Sequence, residues 1–144
     1  MLDQIDVGQM IAQKWDELSS PPALPDEWSQ FLCKTGPLPS MQGCRRRVSR
    51  FHFRQKAMLQ RDGEPYAVCT KDVSREEISF VIGCQLFPCE RVKLWLPNGL
   101  NSELTVARCL RIAPSCYECG ARFALAEGEA EHVAAILRMA TQNR

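Results

Sequence analysis

The chain has 144 residues, 45% of them hydrophobic and 24% charged, with a formal net charge of +1. A chain of that size supports one domain with a modest appendage and a core that needs no staples. Its near-neutral charge excludes a protein that coats polyanions over its whole surface, so any nucleotide or nucleic-acid site must be local.

Charge is distributed unevenly. Residues 1–32 hold six acidic residues (Asp3, Asp6, Asp16, Glu17, Asp26, Glu27) against the single Lys14. Residues 45–61 hold seven basic residues and no acidic one. Asp3 and Asp6 stand where a secretory signal has basic residues, and no apolar run approaches the ~18 residues needed to span a bilayer. A cytoplasmic location without membrane insertion is therefore expected. There the eight cysteines, at 33, 44, 69, 84, 89, 109, 116 and 119, are expected to be free thiols.

Along residues 1–18, Val7, Ile11, Trp15 and Leu18 recur at helical spacing, which predicts an amphipathic helix. Gly8 costs that helix about 1 kcal/mol relative to alanine. Its apolar stripe must be buried, either on the main domain or against a second copy in a homodimer. Residues 19–43 carry five of the nine prolines and read as an extended connector. Within it, Trp28, Phe31 and Leu32 point to a docked middle.

From Phe51 the period changes to two. Phe51, Phe53, Ala57 and Leu59 share a face, then Tyr66, Val68 and Thr70, then Ile78, Phe80 and Ile82. Val92, Leu94 and Leu96 follow, then Leu104, Val106, Leu110 and Ile112, then Tyr117, Cys119, Ala121, Phe123 and Leu125. Asp62-Gly63, Pro88, Pro97-Asn98-Gly99 and Ala113-Pro114-Ser115 mark the turns. Six strands joined by short loops predict a mainly β protein with an antiparallel barrel over 44–125, closed so that no edge is exposed. Helical spacing returns over 126–144, where Val133, Ile136, Leu137 and Ala140 form one apolar face for covering a side or mouth of the barrel.

The chemistry-bearing segment is Cys44-Arg45-Arg46-Arg47-Val48-Ser49-Arg50-Phe51, with four arginines in six positions. Guanidinium forks grip phosphate oxygens in pairs, stack on bases and match the O6/N7 edge of guanine. A solvated basic run is the bland reading of the same residues. Asp72-Val73-Ser74 suits a turn whose side chains bond backbone amides, and those groups could equally meet a guanine edge or a phosphate. His52 and His132 lack a nucleophile, paired carboxylate or metal spacing, so no catalytic residue is expected. Cys116 and Cys119, at and within a strand, read as packing residues more than zinc ligands, so no metal or cofactor is expected. Trp15, Trp28 and Trp95 read as packing residues too.

Taken in order, Arg46-x-x-x-Arg50, the entering strand and Asp72-x-Ser74 resemble the PilZ domain, the bacterial receptor family for cyclic di-GMP. Leu86-Phe87-Pro88-Cys89-Glu90-Arg91-Val92-Lys93-Leu94, Ala107-Arg108-Cys109 and Tyr117-Glu118-Cys119-Gly120-Ala121-Arg122-Phe123 continue the similarity, which covers about residues 44–125. The resemblance implies a six-stranded barrel with the arginine loop folded over ligand on its outer surface. Arg46 and Arg50 would contact phosphates and guanine, with Arg45 as auxiliary. Asp72 and Ser74 would hold a guanine and the nearby backbone. One or two ligand molecules fit the pattern.

The sequence departs from the family's Asp-x-Ser-x-x-Gly at Glu77, where a side chain and a negative charge replace glycine. A like charge opposes a bis-anionic ligand, and Arg75 is the nearby candidate to neutralise it. The expected function is a cyclic di-GMP receptor that reorders its arginine loop and alters a surface facing a protein partner, with the acidic N-terminal helix as the candidate surface. The alternative is an adaptor that binds no nucleotide. Phe51 and Phe53, read as core, leave no stacking platform, so nucleic acid is not an expected partner.

Overall fold

The computed structural model describes residues 4–28, 31–34, 36, 38, 49–124 and 129–142. Helix α1 (Gln4–Lys14) runs into a short 3-10 turn at Trp15–Glu17, with two more such turns at Asp26–Trp28 and Phe31–Cys33. Six strands follow: β1 (Phe51–Arg61), β2 (Glu64–Val73), β3 (Glu77–Ile82), β4 (Arg91–Trp95), β5 (Asn101–Ala113) and β6 (Cys116–Phe123). Helix α2 (Glu129–Gln142) ends the described chain. The strands close into a barrel in the order β1-β2-β3-β6-β5-β4, and every neighbouring pair is antiparallel. Closure leaves no long unpaired edge. The β1–β2 turn is Asp62-Gly63, both at positive φ (50° and 81°), the conformation that a tight two-residue hairpin needs.

Alternation fills the interior. Phe53, Leu59, Val68, Ile78, Phe80, Ile82, Leu94, Leu104, Val106, Cys119 and Ala121 form one cluster, and Val133, Ile136 and Ala140 of α2 join it. The apolar face predicted for the last helix is therefore part of the barrel's own core. Two predicted inward residues, Leu110 and Ile112, are not; Ile112 packs against the cluster outside the wall. Leu110 is 64% exposed, because a bulge between Val106 and Arg108 shifts β5 by one position. Past the bulge, Cys109 packs against the interior in its place.

A second apolar cluster lies outside the barrel wall. Ile11, Trp15, Leu18 and Phe31 of the N-terminal arm bury Met58, Ala67, Cys69, Val81, Trp95 and Cys116. The arm's stripe thus finds its partner on this chain's own barrel. The Trp15 indole N–H donates to the carbonyls of Ala57 (3.0 Å) and Val68 (3.1 Å), which belong to paired residues of β1 and β2. Gly8 is required by packing, since a Cβ there would stand 2.4 Å from the Pro97 carbonyl oxygen. Ser19 makes a parallel bridge to Tyr66, and the amide of Gly83 donates to the Ser20 carbonyl, so the connector is stitched to the barrel. Trp15→Phe keeps most of the buried ring but removes the donor. It is expected to lower stability by about 1 kcal/mol, read by urea unfolding.

No helix among the described residues is long and apolar enough to cross a membrane.

Candidate ligand-binding site

The predicted site residues that the structure describes are Arg50, Asp72, Ser74 and Glu77. Arg45 and Arg46 lie outside the described residues. Arg50 immediately precedes β1, and its backbone is held by the arm: Leu38 N–H donates to the Arg50 carbonyl (2.9 Å) and His52 N–H to that of Gly36 (2.8 Å). Gly36 and Leu38 are thereby bonded to His52 and Arg50 where the chain leaves the arginine cluster for the first strand. That link between arm and cluster was not legible in the sequence.

Asp72 owes its position to a bulge. Tyr66, Val68 and Thr70 set the inward row of β2, and strict alternation would send Asp72 inward as well. Instead the pairing shifts between Thr70 and Asp72, and Val73 continues the interior row. Bulges commonly re-aim a side chain in this way. Asp72 is only 5% exposed, and its carboxylate lies 3.5 Å from Arg50 Nη1. Thr70, fully buried, donates through its hydroxyl to the Phe53 carbonyl.

Ser74 is committed to the turn between β2 and β3. Its Oγ accepts from the amides of Glu76 (3.2 Å) and Glu77 (3.1 Å), and its own amide donates to the Glu77 carbonyl (2.8 Å). The turn expected there is present and is held by Ser74, whereas the Asp72 carboxylate, expected to bond a turn amide as well, faces Arg50 instead.

Glu77, the departure from the family pattern, is paired twice. Its carboxylate lies 3.9 Å from Arg50 Nη2 and 3.1 Å from Arg108 Nη1. Arg75 is exposed, and the ion partners found for Glu77 are these other two arginines. Arg108 belongs to β5 and reaches Glu77 on β3 by lying across β6 at Gly120. A Cβ on Gly120 would stand 2.4 Å from the Arg108 guanidinium carbon. Gly120→Ala is expected to displace Arg108 from Glu77 while changing stability by less than ~1 kcal/mol. The pair is partly exposed and its cation is the end of a flexible chain; a thermal melt alongside ligand titration checks both parts.

Two residues of the site were not singled out by sequence. Arg108 stood inside a quoted motif with no role, and only the glycine opposite it in the folded sheet reveals what it does. Arg54 spreads its guanidinium 4.1 Å above the buried Phe31 ring and contacts His52 Nδ1 at 3.2 Å. Burial first, and then the Arg54 charge, pull the His52 pKa below the usual imidazole value. Lys71 pairs with Glu118 on the same outer face. Arg50, Arg54, Lys71 and Arg108 therefore line a band of cations around Asp72, Glu77 and Glu118. A concavity of about 570 Å³ over β4 and β5, lined by Gln60, Arg91, Lys93, Glu103 and Thr105, is separate from this band.

Among the described residues, no three His, Cys, Asp or Glu side chains are grouped to hold a metal ion. Cys116 and Cys119, three apart on one strand, face opposite sides of the barrel wall.

No family model and no curated protein matches the sequence. Solved structures do match. The MrkH–c-di-GMP complex of K. pneumonia aligns at a TM-score of 0.54 and 20% identity, over 66% of this chain and 52% of that one. The fold is the PilZ barrel. MotI/DgrA, an inhibitor of motility of Bacillus subtilis, is similar at a TM-score of 0.47 and 16% identity, over 70% of this chain and 55% of that one. MrkH in its apo state gives 0.48 and 18%, over 62% and 47%. The chain thus spans about half the length of these structures. On this PilZ barrel, Arg50 sits at the entrance to the first strand, and Asp72, Ser74 and Glu77 at the turn between the second and third.

Proposed function

We propose that this chain is a cyclic di-GMP receptor, with Arg45, Arg46, Arg50, Asp72 and Ser74 as its binding residues. The observation that carries the reading is Arg50 held beside the buried Asp72, on a PilZ-type barrel, above a turn pinned by Ser74. A guanidinium in that place offers a fork to a phosphate or to the O6/N7 edge of guanine. The neighbouring carboxylate is an acceptor for guanine N1 and N2. The resemblance to the MrkH complex supports the ligand class by analogy of fold alone.

Binding exchanges one anion for another. A ligand phosphate takes the place of the Glu77 carboxylate at Arg50, and the arginine-bearing segment orders around it. Because Gly36 and Leu38 are bonded to His52 and Arg50, that ordering is passed to the N-terminal arm, whose acidic surface is the candidate face for a protein partner. The protein acts as a receptor and not as a catalyst.

A second reading has its own observation. The same Glu77 already satisfies Arg50 and Arg108, which is what a barrel acting only through protein contacts would retain. Isothermal titration with cyclic di-GMP, with GTP as control, separates the two. Saturable binding at about micromolar or tighter supports the receptor. A flat trace to about 100 µM, corresponding to less than ~5.5 kcal/mol of binding free energy, supports the adaptor.

A further inference from the structure

Two of the cysteines meet face to face. Cys109 on β5 and Cys119 on β6 are direct cross-strand partners, and their sulfurs lie 3.1 Å apart. The bulge after Val106 puts Cys109 there; without it the side chain would point to the other face. Directly paired antiparallel residues have Cα atoms about 4.5–5.5 Å apart, inside the range a disulfide accepts. Closing the sulfurs to the ~2.0 Å of a bond needs side-chain rotation and no sliding of strands.

The two thiols are not equivalent. Cys109 is partly exposed, where a small oxidant can reach it, and its Sγ accepts the amide N–H of Leu86 at 3.4 Å. Cys119 is fully buried, and burial pushes its thiol pKa up. Cys109 is thus the attacking sulfur and Cys119 the resolving one. Cys116 lies on the opposite face, beneath the arm.

We propose that Cys109 and Cys119 form a peroxide-sensitive dithiol that closes to an intramolecular disulfide. The Cys109 thiolate attacks one oxygen of hydrogen peroxide, the O–O bond breaks, and the departing hydroxide leaves as water with the proton the thiol gave up. A sulfenic acid remains on Cys109. The Cys119 sulfur displaces its hydroxyl, which leaves with the Cys119 proton as a second water. Two thiols lose two electrons in all, one peroxide is reduced to two waters, and a dithiol reductant reverses the step. The bond would pin the β5–β6 register directly beside Arg108 and Gly120.

The test uses the full chain, reduced, treated with hydrogen peroxide, alkylated in denaturant and digested with trypsin. Cleavage after Arg108, Arg111 and Arg122 separates peptides 109–111 and 112–122. The expected product is these two peptides joined, lighter by two hydrogens than their sum, and separated again by reductant. The link persists in Cys116→Ser and is lost in Cys109→Ser. In Cys119→Ser, oxidation stops at a sulfenic acid on Cys109 that dimedone traps. The wild-type and Cys116→Ser maps decide the matter even if serine at the buried position 119 unfolds the barrel. A link that vanishes in Cys116→Ser, or oxidation that reaches Cys89 and leaves peptides 109–111 and 112–122 unjoined, overturns the proposal.

Discussion

Glu77→Gly is expected to tighten cyclic di-GMP binding by about ten- to a hundredfold, equivalent to ~1.4–2.7 kcal/mol. In the free protein the Glu77 carboxylate lies against both Arg50 and Arg108, at 3.9 and 3.1 Å. A bis-anionic ligand must displace it from Arg50 and then sit beside a like charge. Neither cost is the full Coulomb energy of a buried pair. The Glu77 side chain is 27% exposed and that of Arg108 54% exposed, so water screens much of the interaction. Glycine removes the charge and the bulk together, whereas Glu77→Gln removes the charge alone. Recovery of most of the gain in Glu77→Gln assigns the block to electrostatics; recovery only in Glu77→Gly assigns it to close approach of ligand to backbone. Titration of both variants at two salt concentrations is the measurement. An affinity in Glu77→Gly no tighter than wild type would sink the idea that this side chain opposes the ligand.

Arg50→Ala is expected to weaken cyclic di-GMP binding by at least about a hundredfold and to lower stability by about 1–3 kcal/mol. The two effects have different origins. Binding falls because the fork is gone. Stability falls because the Asp72 side chain, 6% exposed, loses the cation 3.5 Å away and remains a nearly buried charge. The single contact at that distance, with Arg50 itself 15% exposed, keeps the cost below that of a fully enclosed, doubly bonded pair. Adding Asp72→Ala to Arg50→Ala should return part of the stability, since no charge is then stranded, while leaving ligand binding lost. Urea unfolding of the three variants reads the first quantity and calorimetric titration the second. Wild-type affinity in Arg50→Ala would remove Arg50 from the site.

The barrel was legible because its signal is periodic. Ile78, Phe80 and Ile82, or Val92, Leu94 and Leu96, recur at every second position over too few residues to be helices, and turn residues such as Asp62-Gly63 separate the runs. Every one of those six side chains is buried in the interior. The α2 face and the Ile11-Trp15-Leu18 stripe were legible for the same reason at the helical period. The candidate site was legible only as a set of residue types: arginines before a strand, and an aspartate and a serine in a turn. Arg54 gave no signal at all, because its position over Phe31 depends on where a separate segment docks.

What the sequence by itself determined is the alternation that makes six strands, the hairpin chemistry that reverses them, and the apolar stripes that need cover. These are local properties, set by neighbours within a few residues. Only the tertiary structure decided which way the site residues point. Asp72 and Arg108 each lie just past a bulge that reverses the phase of the strand. A bulge is settled by which register lets two whole strands pair and fill the core, so no single strand's sequence contains it. The same holds for Glu77. Its neighbour Arg75 is two residues away, yet its partners are Arg50 and Arg108, brought in from 27 and 31 positions along the chain because the sheet closes and Gly120 leaves room for a guanidinium to cross it.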